Sequence, residues 1–117
     1  MENEDAVTAL SALGHPGRLG AFRHLVQAGS AGLPAGELAR RLAMPPNTLS
    51  TNLNILSAAG LVRSKRDGRS IIYNARFDFM TELLTYLIED CCAGTSEVCV
   101  PLAQGVLRSA CDEGARS

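Results

Sequence analysis

The chain has 117 residues, a net charge of −1 and four cysteines, and only 4% of its residues are aromatic. That length fits one small domain with a mainly aliphatic core, which a second copy of the chain would extend. No apolar run reaches membrane-spanning length and the N-terminus is acidic, so we expect a cytoplasmic protein with no membrane partner, in which thiols stay reduced.

Charge is unevenly distributed along the chain. Residues 36–76 carry seven cations and two acids, a net charge of +5, whereas residues 77–117 carry two cations and seven acids, a net charge of −5. A basic middle segment favours an anionic partner, although a solvated mixed surface would have the same composition.

Apolar residues at helical spacing predict two helices at the start of the chain. The first covers about residues 5–13, with Gly14 as its stop. The second begins at Pro16, because proline suits the first turn of a helix, and ends near Gly29.

Two further helices are predicted after a loop at Ser30–Pro34. A short third helix starts near Ala35 and ends before the prolines at 45–46, since proline disrupts a helix interior. The fourth runs over about residues 46–59, and Gly60 ends it as the left-handed residue after a helix.

The pattern then changes to period two, which predicts a hairpin. Residues 61–66 and 69–74 flank Asp67-Gly68, a dipeptide that favours a two-residue turn. The residues expected on the inner face of this hairpin are Val62, Ile71 and Tyr73.

A fifth helix with a broad apolar face is predicted from about Asp78 to Cys92. We interpret part of that face as a dimer surface. Residues 1–92 would then form the folded domain, and residues 93–117 a flexible tail with one short helix near 102–110.

Two short helices joined by a tight turn and followed by a basic hairpin describe a winged helix-turn-helix. Short polar side chains on the fourth helix suit base edges and phosphates in the major groove, and cations at the hairpin tip suit the DNA backbone. A solvated helix face and a charged edge hairpin are the alternative. The residues predicted to contact DNA are Asn47, Thr48, Ser50, Thr51, Asn54, Lys65, Arg66 and Arg69.

Several motifs in order resemble the ArsR/SmtB family of metalloregulatory repressors. Residues 13–19 resemble the family's opening motif, residues 48–62 its recognition helix and the entry to its wing, and residues 66–69 its wing. Two departures are the asparagine at position 52, where the family commonly has histidine, and Pro45-Pro46 in place of a serine-type helix start.

The resemblance implies a mainly α fold with a β-hairpin wing, an α+β winged helix-turn-helix of order ααααββα. It implies a homodimer through the first and fifth helices that binds palindromic double-stranded operator DNA and is released by a metal or metalloid. The expected dimer contacts are Val7, Leu10, Leu83, Leu84, Leu87 and Ile88.

Cysteines mark the expected inducer site. The third-helix arsenic site of the family is absent here, because residues 37–41 contain no cysteine, and the fifth helix lacks the histidines of the zinc and nickel sites. Cys91, Cys92 and Cys99 resemble the vicinal pair and third thiol of arsenic-responsive members. Trivalent arsenic prefers three thiolates, which are soft ligands, so arsenite is the expected inducer and antimonite a close second.

Other functions stay open from the sequence. The vicinal pair alone would hold a methylated trivalent arsenical, the thiols would also hold soft divalent metals, and nearby cysteines can oxidise in a redox-sensing repressor. Cys111 lies apart, and a four-cysteine zinc module lacks the usual paired spacing. We expect no enzyme, because the chain has neither a C-x-x-C motif nor a phosphate-binding loop.

Overall fold

The computed structural model describes residues 1–89, of which residues 1–83 form one compact unit. The chain is mainly helical with a small antiparallel sheet, as predicted. In order, the elements are α1 (Asn3–Leu13), α2 (Pro16–Ala28), β1 (Leu33–Pro34), α3 (Ala35–Leu42), α4 (Pro46–Ala58), β2 (Val62–Asp67), β3 (Ser70–Ala75) and α5 (Phe77–Ile88), with a 3₁₀ turn at Gly29–Ala31 between α2 and β1.

The core is aliphatic, as the composition predicted. Its largest fully buried side chains come from α2, α3, α4 and the segment that leads into the wing: Leu25, Leu38, Leu49, Leu53, Leu56 and Leu61. Helix α1 contributes only small residues, Ala6, Ala9 and Ala12, at a spacing of three. Its larger apolar side chains, Val7 and Leu10, therefore stay exposed on the other side of the helix.

Strand β1 lies in the segment predicted to be a loop. Leu33 pairs with Tyr73 and Pro34 with Ile72, which makes a three-stranded sheet of order β1-β3-β2. The order ααααββα therefore omits a strand between α2 and α3. Two residues are too few for a period-two pattern, and only pairing with β3, some forty residues later, defines them as a strand.

The wing is a hairpin as predicted, but its turn is one residue further along. The pairing of β2 with β3 extends to Asp67 and Ser70, so the loop residues are Gly68 and Arg69 rather than Asp67 and Gly68. Gly68 has a φ of 64° and Arg69 lies outside the left-handed region. That is the pattern of a type II′ turn, which requires glycine first, whereas an Asp-Gly pair at the two loop positions favours a type I′ turn.

Helix α5 begins one residue before the predicted start and ends at Ile88, earlier than the predicted end at Cys92. The predicted tail and its short helix lie outside the described residues. Within residues 1–89, every helix is too short or too polar to cross a membrane.

Gly32 enters β1 with a φ of 68°, and a Cβ there would lie 2.4 Å from the carbonyl oxygen of Tyr73. We expect Gly32→Ala to lower the free energy of unfolding by more than about 1 kcal/mol, because both the backbone angle and the contact oppose a side chain. Thermal unfolding followed by circular dichroism measures the effect. Gly36→Ala in α3 is the matched control, since its Cβ meets nothing within 4 Å and alanine favours a helix. Equal melting temperatures for both variants would contradict the packing described for β1.

Candidate nucleic-acid interface

Three leucines set the rotation of α4 about its own axis. Leu49, Leu53 and Leu56 are 2%, 1% and 0% exposed, so one side of the helix is fixed in the core. All five residues predicted to contact DNA from this helix are exposed: Asn47, Thr51 and Asn54 opposite the leucines, and Thr48 and Ser50 at the flanks. Short donors and acceptors on an exposed helix fit the width of a major groove.

The start of α4 has no side-chain cap. Pro45 takes the capping position in an extended conformation and Pro46 is the first helical residue, so the helix begins through fixed proline φ angles rather than through a hydroxyl or carboxylate. Asn47 does not cap the helix. Its carbonyl oxygen instead accepts a hydrogen bond from Thr51 Oγ1 at 3.2 Å.

Asn52 points into the protein, beside the buried leucines, whereas the polar residues Thr51 and Asn54 on the same helix are exposed. It is 4% exposed and is the one buried polar side chain among residues 1–89. Its Nδ2 donates to Met44 Sδ at 3.5 Å, and a Cβ on Gly17 would lie 3.2 Å from the same nitrogen. Asn52 therefore joins α4 to the preceding turn and to the start of α2, and it is not placed to contact DNA.

His15 has a structural role at the start of α2, one that sequence reasoning did not specify. Its Nδ1 accepts hydrogen bonds from the backbone N–H groups of Gly17, at 3.1 Å, and Arg18, at 3.4 Å. A side-chain acceptor at this position satisfies donors that the first helical turn leaves free. The sequence signal that would have revealed this cap is the position of His15 directly before Pro16, the first residue of α2.

The wing carries cations that no acid neutralises. Lys65, Arg66 and Arg69, the predicted contacts, are all exposed, and so is Arg63 at the base of β2. In the part of the chain that the structure describes, none of the four forms an ion pair. Unpaired cations on a projecting hairpin are free to approach a phosphate backbone.

The arginines of α3 differ, because an acid on the same helix pairs with both. Arg40 donates to Glu37 from Nε at 3.1 Å, and Arg41 Nε lies 3.0 Å from the same carboxylate. These hydrogen bonds hold the pKa of Glu37 below its usual range. Glu37 therefore neutralises part of the positive charge that α3 contributes to the basic segment 36–76.

The residues predicted at the dimer surface divide into two groups. On α1, Val7 is 57% and Leu10 is 44% exposed, and on α5, Leu84 is 40% and Leu87 is 47% exposed. Ile88 is half-buried. Leu83 is only 4% exposed, so its side chain packs in the core of the single chain. The sequence had instead placed it on an apolar face available to a second chain.

The predicted inducer ligands Cys91, Cys92 and Cys99 lie outside the described residues, as does Cys111. Among residues 1–89, no three His, Cys, Asp or Glu side chains are grouped so that they would hold a metal ion. The three-thiol site therefore stays a prediction from the sequence.

Residues 13–65 match a family described as a helix-turn-helix domain, while no curated protein matches the chain. NolR from Sinorhizobium fredii is 32% identical, with a TM-score of 0.59 over 74% of this chain and 83% of that chain. The homodimeric winged helix-turn-helix DNA-binding domain of Mb0332 from Mycobacterium bovis, a possible ArsR-family transcriptional regulator, is 26% identical (TM-score 0.61; 74% and 80% covered). The transcriptional repressor BigR from Xylella fastidiosa is 28% identical (TM-score 0.57; 79% and 98% covered).

The chain belongs to the ArsR family of transcriptional regulators. The matched residues 13–65 include α4 and most of β2. The helix-turn-helix match therefore includes the exposed polar side chains of α4 and Lys65 of the wing, which the sequence predicts to contact DNA.

Replacement of Thr51 by alanine separates recognition from folding in this ArsR-family protein. We expect operator affinity to fall by about 1 kcal/mol, because one of the exposed hydroxyls predicted to contact DNA is lost, while stability is unchanged or slightly higher, since alanine favours helix. Fluorescence anisotropy on operator and scrambled duplexes measures the effect. Ser57→Ala, an exposed change near the end of the same helix, is the control, and an equal loss in both variants would exclude a specific contact.

Arg69 occupies the second loop position of the wing turn. We expect Arg69→Ala to reduce the slope of log K against log salt concentration by about 0.9, because one phosphate contact is removed. Affinity should fall by a similar factor on operator and non-operator DNA, since phosphate contacts do not read sequence. Arg23→Ala, which removes the same charge from the exposed surface of α2, should leave the slope unchanged, and a slope that Arg69→Ala also leaves unchanged would exclude the wing contact.

Proposed function

We propose that this protein is a homodimeric repressor that occupies its operator when its thiols are free and leaves the operator when trivalent arsenic binds Cys91, Cys92 and Cys99. Its release would switch on genes for arsenic resistance. One observation supports the DNA-binding half above the others: leucines hold α4 so that five short polar side chains face outward. The arsenic half is supported by the sequence of the cysteines alone.

Dimer formation is supported by exposed apolar side chains and by a relative. Val7 and Leu10 on α1, with Leu84 and Leu87 on α5, leave apolar surface uncovered in one chain. The related Mb0332 domain is homodimeric. A twofold dimer would present two copies of α4 to half-sites about one helical turn, or 34–36 Å, apart.

The chemistry of arsenic accounts for the number of thiols. Arsenous acid exchanges its three hydroxyl groups for three cysteine thiols: three As–O and three S–H bonds break, three As–S bonds form and three water molecules leave, with no change in oxidation state. Cys91 and Cys92 are adjacent and Cys99 follows seven residues later. A short segment therefore contains all three ligands that a trivalent arsenic ion takes.

A backbone path connects the end of α4 with the start of α5, and it offers a route from inducer to DNA. Leu61 N–H donates to the carbonyl oxygen of Leu56 at 3.0 Å, and Arg76 N–H donates to the carbonyl oxygen of Leu61 at 2.8 Å. The ring of Phe79 also lies against Gly60, where a Cβ would be 3.1 Å away. A change imposed on α5 would therefore shift α4. For arsenic to release the operator, it must bind the DNA-incompetent arrangement more tightly than the DNA-bound one.

Arsenite titration of the reduced protein on its upstream DNA tests the proposal. We expect arsenite to weaken operator binding by about 10- to 100-fold in the wild type, within the usual range of allosteric coupling. Cys91→Ser, Cys92→Ser and Cys99→Ser should abolish the response, because each removes one of three ligands. Cys111→Ser is the matched control and should respond as the wild type does.

Other outcomes of the same titration decide between inducers. Release that survives in Cys99→Ser would favour a two-thiolate site for a methylated trivalent arsenical. Operator binding that arsenite leaves unchanged in the wild type would reject arsenic as the inducer and retain the repressor. Soft divalent metals and an oxidant, which would act through a disulfide, are then the next additions to the titration.

A further inference from the structure

A cleft at the base of the wing includes only one of the residues predicted to contact DNA, Lys65. It consists of two surface cavities of about 310 and 210 Å³ that share Ser30, Lys65 and Asn74 in their linings. Arg63 lines the larger cavity and Asp67 the smaller. We call this feature the basal cleft; it lies between the 3₁₀ turn and the sheet face that carries Arg63 and Lys65.

The two cations of the basal cleft have no acidic residue opposite them on the neighbouring strand β3. Arg63 is opposite Asn74 and Lys65 is opposite Ile72, and side chains directly opposite in an antiparallel pair are the ones that meet. Two residues along a strand span about 6.6 Å, so the two cations are close neighbours on one face. A bound anion would relieve their mutual repulsion.

Asp67 does not cancel this charge. It is two residues beyond Lys65 on the same face, it lines only the smaller cavity, and it forms no ion pair within residues 1–89. Both cations line the larger cavity, and no acid of residues 1–89 lines it. An anion would therefore be favoured at the Arg63 end of the cleft.

Polar groups near the cations complete the arrangement. Asn74 Nδ2 donates to the carbonyl oxygen of Ser30 at 2.9 Å, which holds the strand and the 3₁₀ turn together across the cleft. Ser30 itself lines both cavities. A planar guanidinium beside an ammonium and a hydroxyl is a donor set that suits tetrahedral oxyanions.

We propose that the basal cleft binds a phosphate group, with Arg63 and Lys65 as its cationic ligands and Ser30 as a neutral donor. Two sources share this chemistry: the backbone of the operator and a free phosphorylated small molecule. The backbone source rests on the proposed DNA-binding function, whereas the free source does not.

Salt dependence of operator binding tests the backbone source. Arg63→Gln removes one cation from an exposed strand position and should reduce the slope of log K against log salt concentration by about 0.9, which changes the affinity ratio between 50 and 200 mM salt by about 3.5-fold. The preference for operator over scrambled duplex should not change. Arg23→Gln on α2 is the control of equal charge and should keep the wild-type slope.

Inorganic pyrophosphate tests the free source without DNA. Titrated into the ¹⁵N-labelled reduced protein, it should shift the signals of the Asn74 side-chain amide and the Arg63 Nε–H group. The Asn74 shift should be lost in Arg63→Gln and kept in Arg23→Gln. Pyrophosphate shifts with an unchanged salt slope would assign the cleft to a small molecule, and a reduced slope would assign it to the backbone.

Failure of the cleft and failure of the proposed function give different results. An unchanged slope in Arg63→Gln together with no pyrophosphate shift in the wild type would overturn the cleft proposal, whatever arsenite does. If arsenite fails to release the wild-type protein from its operator, arsenic is rejected as the inducer, and both cleft measurements keep their meaning. Arg63→Gln should still be released by arsenite to the same fold-change as the wild type.

Discussion

Burial of one leucine stripe on α4 is the constraint on which the rest of the molecule depends. Leu49, Leu53 and Leu56 are almost inaccessible to solvent, and removing one such side chain from a core costs about 2–5 kcal/mol. That energy fixes the rotation of the helix. The exposed polar side chains therefore occupy fixed positions, which a helix that reads DNA needs.

Contacts with neighbouring elements also fix the position of α4. The Asn52 amide is enclosed between Met44 and the start of α2, where a buried polar group requires a partner. At the C-terminal end of the helix, the hydrogen bonds of Leu61 connect α4 to Arg76 and so to the start of α5. Helix α4 is thus held at its middle and at its C-terminal end by contacts that do not use its outer face.

Electrostatics divides the arginines of this chain into two kinds. Arg40 and Arg41 are paired with Glu37, and Arg76 pairs with Asp78 at 3.0 Å and stacks at 5.9 Å over Phe79. The charge of these arginines is therefore largely matched by acids on neighbouring turns. The cations of the wing have no such partners within residues 1–89, so their charge is available to an anion, and a net charge of −1 for the whole chain conceals it.

The sequence alone determined the four N-terminal helices, the hairpin and the outward residues of α4, because helical and strand periodicities are local properties of the chain. It also provides the whole basis for the thiol site at Cys91, Cys92 and Cys99. Tertiary structure decided strand β1, the turn at Gly68 and Arg69, and the burial of Asn52 and Leu83. Each of these depends on a partner elsewhere in the fold or on competition between turn geometries, and neither leaves a periodic pattern in the sequence.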